Sequence, residues 1–71
     1  MMGEKKRIVF CYDGEVREED TIVDPDGETP VPEKGQIIKK HGQMWRVTFV
    51  MLQGVAGTDG YPVHKVYLAR A

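Results

Sequence analysis

No window of this 71-residue chain can sustain a helix. Eight glycines and four prolines interrupt it every few residues. Glycine weakens a helix through backbone entropy, and proline through its missing N–H and its clash with the preceding turn. Between these breaks, apolar residues do not recur at helical spacing. The apolar side chains themselves favour sheet: Val and Ile number 13, Leu and Ala together only 5. β-branched side chains lose rotamer freedom in a helix but pack well on a pleated surface. The expected class is all-β.

Strands and turns can be placed from the pattern. Residues 7–12 (RIVFCY) read as a first strand, with Ile8, Phe10 and Tyr12 on one face and Val9 and Cys11 on the other. Asp13-Gly14 follows, a pair suited to a tight hairpin. Residues 15–20 are highly charged, and β character resumes at residues 21–23. Residues 24–35 (DPDGETPVPEKG) hold three prolines and two glycines and read as a loop or extended edge segment. Residues 36–40 form a short strand, His41-Gly42 a second turn, and residues 43–53 the longest strand. Gly54, Gly57 and Gly60 punctuate a flexible connection to a last strand over residues 61–71. The expected architecture is a small five-stranded antiparallel barrel or curled sheet. Residues 1–6 are read as a flexible N-terminus and 7–71 as a single β domain, with no repeat or change of composition to suggest another.

The run GQIIKKHGQMWRV (residues 35–47) resembles a recurring stretch of small SH3-like barrels. There a glycine opens a strand, a tight turn follows, and an aromatic-x-hydrophobic pair begins the next strand. Small phage head–tail joining proteins and some integron-cassette proteins are similar in this respect. The resemblance covers roughly residues 30–53. It implies an SH3-like barrel and a mobile genetic element as source, and it transfers no functional residue.

Strict alternation along the longest strand places Trp45, Val47, Phe49 and Met51 on one face. Met44, Arg46, Thr48, Val50 and Leu52 fall on the other. The first strand is likewise apolar on both sides, and the last sets Val66 and Leu68 against Val63 and Tyr67. A chain this short builds one core, and small domains commonly need a disulfide, a metal or oligomerisation for support. One cysteine, Cys11, makes no internal disulfide and no thiol-based zinc site. The second apolar face (Val9, Cys11, Val50, Leu52, Tyr67) is therefore expected to be a homo-oligomer interface.

Charge is segregated. Residues 13–33 carry nine acids against Arg17 alone, net −8, whereas residues 34–71 carry six bases against Asp59, net +5. One reading is a solvated acidic loop; another sets the acidic segment of one subunit against the basic strands of the next. A third has Lys39, Lys40, Arg46, Lys65 and Arg70 bind nucleic acid, with Trp45, Tyr61 or Tyr67 to stack on bases. A pI near 6.1 and the neighbouring acidic loop weigh against the third.

Catalytic and ligand motifs are sparse. Cys11 with His41 or His64 offers a nucleophile and base only if the fold joins them, and a buried inert thiol is the simpler expectation. Residues 24–28 (DPDGE) lack the spacing of a calcium loop. The Gly54, Gly57, Gly60 series leads into no helix and so lacks the setting of a phosphate loop. Glu18 and Glu19 would point to opposite sides of a strand, and Trp45 reads as core. The expectation is a non-enzymatic binding protein without cofactor or metal. The longest apolar runs are far short of the ~20 residues that cross a bilayer. No secretory leader is visible. A cytoplasmic protein that makes no use of membrane follows.

Overall fold

The structure, a computed structural model, describes residues 3–55 and 60–71. Six strands form one mixed sheet: β1 (Lys6–Tyr12), β2 (Glu15–Val16), β3 (Ile22–Asp24), β4 (Ile37–Lys40), β5 (Gln43–Val55) and β6 (Pro62–Arg70). A single 3-10 turn, Glu18–Asp20, separates β2 from β3. The order is β2-β1-β6-β5-β4, with β3 also beside β1. The chain is all-β, as its Val and Ile content requires. No helix among the described residues is long and apolar enough to cross a membrane.

Two details differ from the expected five antiparallel strands. The strand returning from the first hairpin is split. Val16 lies opposite Cys11 and Ile22 opposite Ile8, so the return spans six residues where β1 spans three. The 3-10 turn absorbs the excess. Its three acidic residues Glu18, Glu19 and Asp20 tolerate a bulged, solvated edge better than a ladder. The second difference is direction: β1 and β6 pair in parallel, from Arg7 opposite Val63 to Tyr12 opposite Leu68. Every other pairing is antiparallel.

Both short hairpins have two-residue loops with both residues at positive φ: Asp13 at 50° and Gly14 at 87°, His41 at 54° and Gly42 at 73°. This is the primed turn whose twist matches the strands it joins, and Asp-Gly and a residue-Gly pair are the sequences that adopt it.

The sheet curls around its inner face. Ile8, Phe10 and Tyr12 of β1, Val66 and Leu68 of β6, and Trp45 and Val47 of β5 form the buried cluster. Ile22, Val31, Ile38 and Val50 pack against it. In a flat sheet β4 and β1, three positions apart, would lie roughly 14 Å from each other. Here Lys40 of β4 sets its Nζ 4.8 Å from the centre of the Phe10 ring of β1. Across the same opening His41 Nε2 lies 2.6 Å from Asp20 Oδ2. The edges approach without forming a ladder, so of the two expected forms the molecule takes the curled sheet, not the closed barrel.

The loop between β3 and β4 lies over the mouth of the curl, with Val31 on the core. Asp24 fixes its start: the carboxylate receives Lys6 Nζ at 2.7 Å, Thr29 N at 2.8 Å and Glu28 N at 3.2 Å. Gly27 presses on the opening residues so closely that a Cβ there would stand 2.4 Å from the carbonyl carbon of Gly3. β1 begins at Lys6, the last residue of the segment 1–6.

The face assignment of β5 is corrected by one residue. Val47 lies opposite Leu68 and Phe49 opposite Tyr67, which leaves Thr48 as an extra residue, a bulge. Beyond it the alternation shifts. Val50 pairs with Val66 and Leu52 with His64 on the inner side, while Phe49 and Met51 turn outward beside Tyr67 and Lys65. Trp45, Val47, Phe49 and Met51 therefore do not share a face. Val47 is 1% exposed and Phe49 52%.

Candidate functional site

The outer face of the sheet carries a cross-strand apolar row. Val16 of β2, Cys11 of β1, Tyr67 of β6 and Phe49 of β5 are successive partners in the ladders. The next row is Val9, Lys65 and Met51. Toward β4 come Ala69, Arg46 and Ile37, then Met44 and Lys39. Cys11 is buried, Tyr67 and Val9 are half-buried, and Phe49 stands out. The Phe49 and Tyr67 rings lie 5.9 Å apart, tilted by 48°. Lys65 lays its Nζ 5.0 Å from the Tyr67 ring centre, and the Thr48 hydroxyl donates to the Tyr67 carbonyl at 3.2 Å. The bulge thereby does two things: it exposes Phe49 and uses its own hydroxyl on the neighbouring strand's backbone.

Electrostatically the outer face is one-sided. Arg7, Lys39, Arg46 and Lys65 stand at its strand positions, and among the described residues no carboxylate does. The acids lie on the β2–β3 margin and on the loop over the inner side. Glu18 is at the rim, where Arg7, Val9, Val16 and Thr21 help line a shallow depression of about 260 Å³. The acidic and basic segments of the sequence thus become different sides of the molecule.

Of the residues expected at an oligomer interface, Val9, Cys11 and Tyr67 share this face. Val50 packs against the core instead, and Leu52, 61% exposed, lines a cleft on the inner side. Of the basic set, Lys39, Arg46 and Lys65 are together on the outer face. Lys40 lies over Phe10, and Arg70, the partner of Trp45, sets its Nε 3.9 Å from Asp13. Phe49 and Met51, assigned inward by simple alternation, complete the face. Nothing in the sequence flags Thr48 as the bulge except that apolar residues occupy both parities after it.

The remaining candidates resolve structurally. Cys11 faces outward and His64, paired with Ile8, inward, while His41 is engaged by Asp20. The fold does not bring the thiol and the imidazoles to one place. Asp20 accepts a second hydrogen bond, from the Tyr12 hydroxyl at 2.6 Å. The two bonds hold its carboxyl below the usual range, the Tyr12 bond contributing most. Burial, and then the same bond, pushes the Tyr12 phenol up. Asp24, far from being an open cation ligand, is saturated by Lys6 and the loop amides, which lower it to about 2. Trp45 is core and hydrogen-bonded to the Lys40 carbonyl at 3.2 Å. The inner cleft, about 570 Å³, runs between Lys6, Pro30, Val31, Leu52, Pro62 and His64. The glycine series expected as a flexible connection includes Gly57, which lies outside the described residues. No family model, curated protein or solved structure matches the chain.

Proposed function

We propose that the chain is a non-enzymatic interaction module whose working surface is the outer face of its sheet. The observation that supports this is the row Val16–Cys11–Tyr67–Phe49, flanked by cations and free of strand-borne carboxylates. A side chain as apolar as Phe49, held 52% exposed, contributes less to folding than a buried ring would. Buried Cys11 suits a reducing compartment, and the cytoplasm is part of the same proposal.

An aromatic sulfonate dye such as anilinonaphthalene sulfonate tests the face, since it combines an apolar ring with a negative charge. The native chain is expected to bind it, and Phe49→Ser to reduce its fluorescence several-fold with no change in far-UV circular dichroism. Undiminished binding by Phe49→Ser, with loss in Leu52→Ser, would move the site to the inner cleft and contradict the proposal.

Self-association is the second reading, favoured by further exposed apolar groups on this face: Ile37, Val16 and Met44 are 39–48% exposed. Light scattering behind size-exclusion chromatography, at low and high salt, tests it. A salt-resistant oligomer dispersed by Phe49→Asp supports it; an 8 kDa monomer throughout removes it and leaves the face to another ligand.

A further inference from the structure

We propose that the ligand of the outer face is single-stranded nucleic acid, with two neighbouring bases stacked on Phe49 and Tyr67 and phosphates held by Lys65, Arg46 and Lys39. The inference rests on the outer face being the working surface and adds the chemistry of what it takes.

Four observations carry it. Aromatic rings beside cations, here exposed Phe49 with half-buried Tyr67 under Lys65, are the pairing that single strands require, because every base has a stackable face and every nucleotide a charge. The two rings stand on adjacent strands with centroids 5.9 Å apart. At that spacing and a 48° tilt the rings pack on one another, and their outward surfaces are offered to bases that no partner strand engages. The second observation is sign. Among the described residues the strand positions of this face carry cations and no carboxylate, while Asp20 sits at the opening of the curl, Glu28 in the inner cleft and Glu18 at the rim.

The third is shape. The face is the outside of a curl. A flexible strand wraps such a surface, whereas a second copy of the same convex face touches it over a limited area and brings Arg46 and Lys65 toward like charges. Among the described residues this face also projects no helix that could enter the major groove of a duplex. The fourth is the side-chain inventory. The ladder neighbours of the two rings, Val16, Cys11, Val9 and Met51, are apolar, so stacking outweighs base-edge reading and recognition is expected to be largely sequence-tolerant. Glu18 at the rim and the acidic loop moderate the affinity.

The test is fluorescence anisotropy with labelled oligothymidine and oligouridine of about 12 nucleotides, within the range a small β-fold covers. A duplex of equal length is the comparison. The full chain is expected to bind both single strands in the micromolar range and at least tenfold more tightly than the duplex. Three phosphate contacts give a slope of about −2 for log affinity against log salt. Phe49→Ala is expected to weaken binding about tenfold or more. Lys65→Ala should weaken it several-fold and flatten the salt slope, and Leu52→Ala should leave it unchanged. Phe49 and Leu52 are both exposed, so neither variant endangers folding.

Equal or tighter binding of the duplex overturns the proposal. So does absence of binding at 50 mM salt; if the dye still reports Phe49 in that case, the face stands and its ligand is something else. Binding that Leu52→Ala abolishes and Phe49→Ala leaves intact overturns both the ligand and the face.

Discussion

At the scale of single residues, Val47 and Phe49 show how little local identity decides. Both are apolar, two positions apart on one strand, and simple alternation would make both core. With Thr48 bulged, Val47 is 1% exposed and Phe49 52%. Val47→Ala is expected to cost about 2 kcal/mol, and Phe49→Ala less than about 1 kcal/mol. Urea denaturation of the two variants measures the difference; equal losses would mean that both side chains are core. The titrating residues give a second expectation. Asp24, lowered to about 2 by Lys6 and the Thr29 and Glu28 amides, and Asp20, lowered by Tyr12 and His41, bind protons more weakly folded than unfolded. Their contribution is present above the unfolded carboxylate value of about 4 and is lost as pH falls toward 2. Tyr12 is shifted upward, so its contribution is present below about 10 and lost at higher pH. Thermal unfolding from pH 2 to 11 should show a plateau with both limbs falling, and Asp24→Asn should flatten the acid limb while lowering the plateau.

Elements were unequally legible in the sequence. Asp13-Gly14 and His41-Gly42 announce their turns because a two-residue hairpin demands positive φ at both positions, and few residue pairs supply it. The strand with Ile8, Phe10 and Tyr12 inward was equally plain from its period of two. The bulge was not, because an extra residue in a ladder leaves no compositional mark when both faces of the strand are apolar. The same limit applies to the parallel pairing of β1 with β6, a contact between chain ends that no local signal encodes. The acidic run 18–20 was visible as a break in β character, but its geometry as a 3-10 turn was not. Close approach of backbone to backbone is likewise invisible: Gly27 reads as one more loop glycine, yet a Cβ there meets Gly3 at 2.4 Å and the φ is +68°. Gly27→Ala is expected to lower the melting temperature and loosen the loop, read as faster amide exchange at Thr29, whose N–H bonds to Asp24. Unchanged exchange would show that the loop is held elsewhere.

For the whole molecule, charge was the part of the candidate site most legible beforehand and position the least. The sequence divides into acidic and basic stretches, and three of the five expected cations, Lys39, Arg46 and Lys65, do gather on one face. Three of the five residues expected at an interface, Val9, Cys11 and Tyr67, lie on that face too. Val50 and Leu52 are carried to the inner side by the bulge and Phe49 and Met51 take their place, so the face has an exposed ring that alternation would have buried. The curl then turns a strip of alternating residues into an enclosed core and an outward surface, with Tyr12, Asp20 and His41 tying the edges. The most direct test of this account is a chemical-shift map of the labelled chain titrated with single-stranded oligothymidine at low salt. Perturbations are expected to gather at Arg46, Phe49, Met51, Lys65 and Tyr67, with Val31, Leu52 and His64 of the inner cleft unmoved. Perturbations gathered in the cleft, or none up to millimolar oligonucleotide, would contradict it.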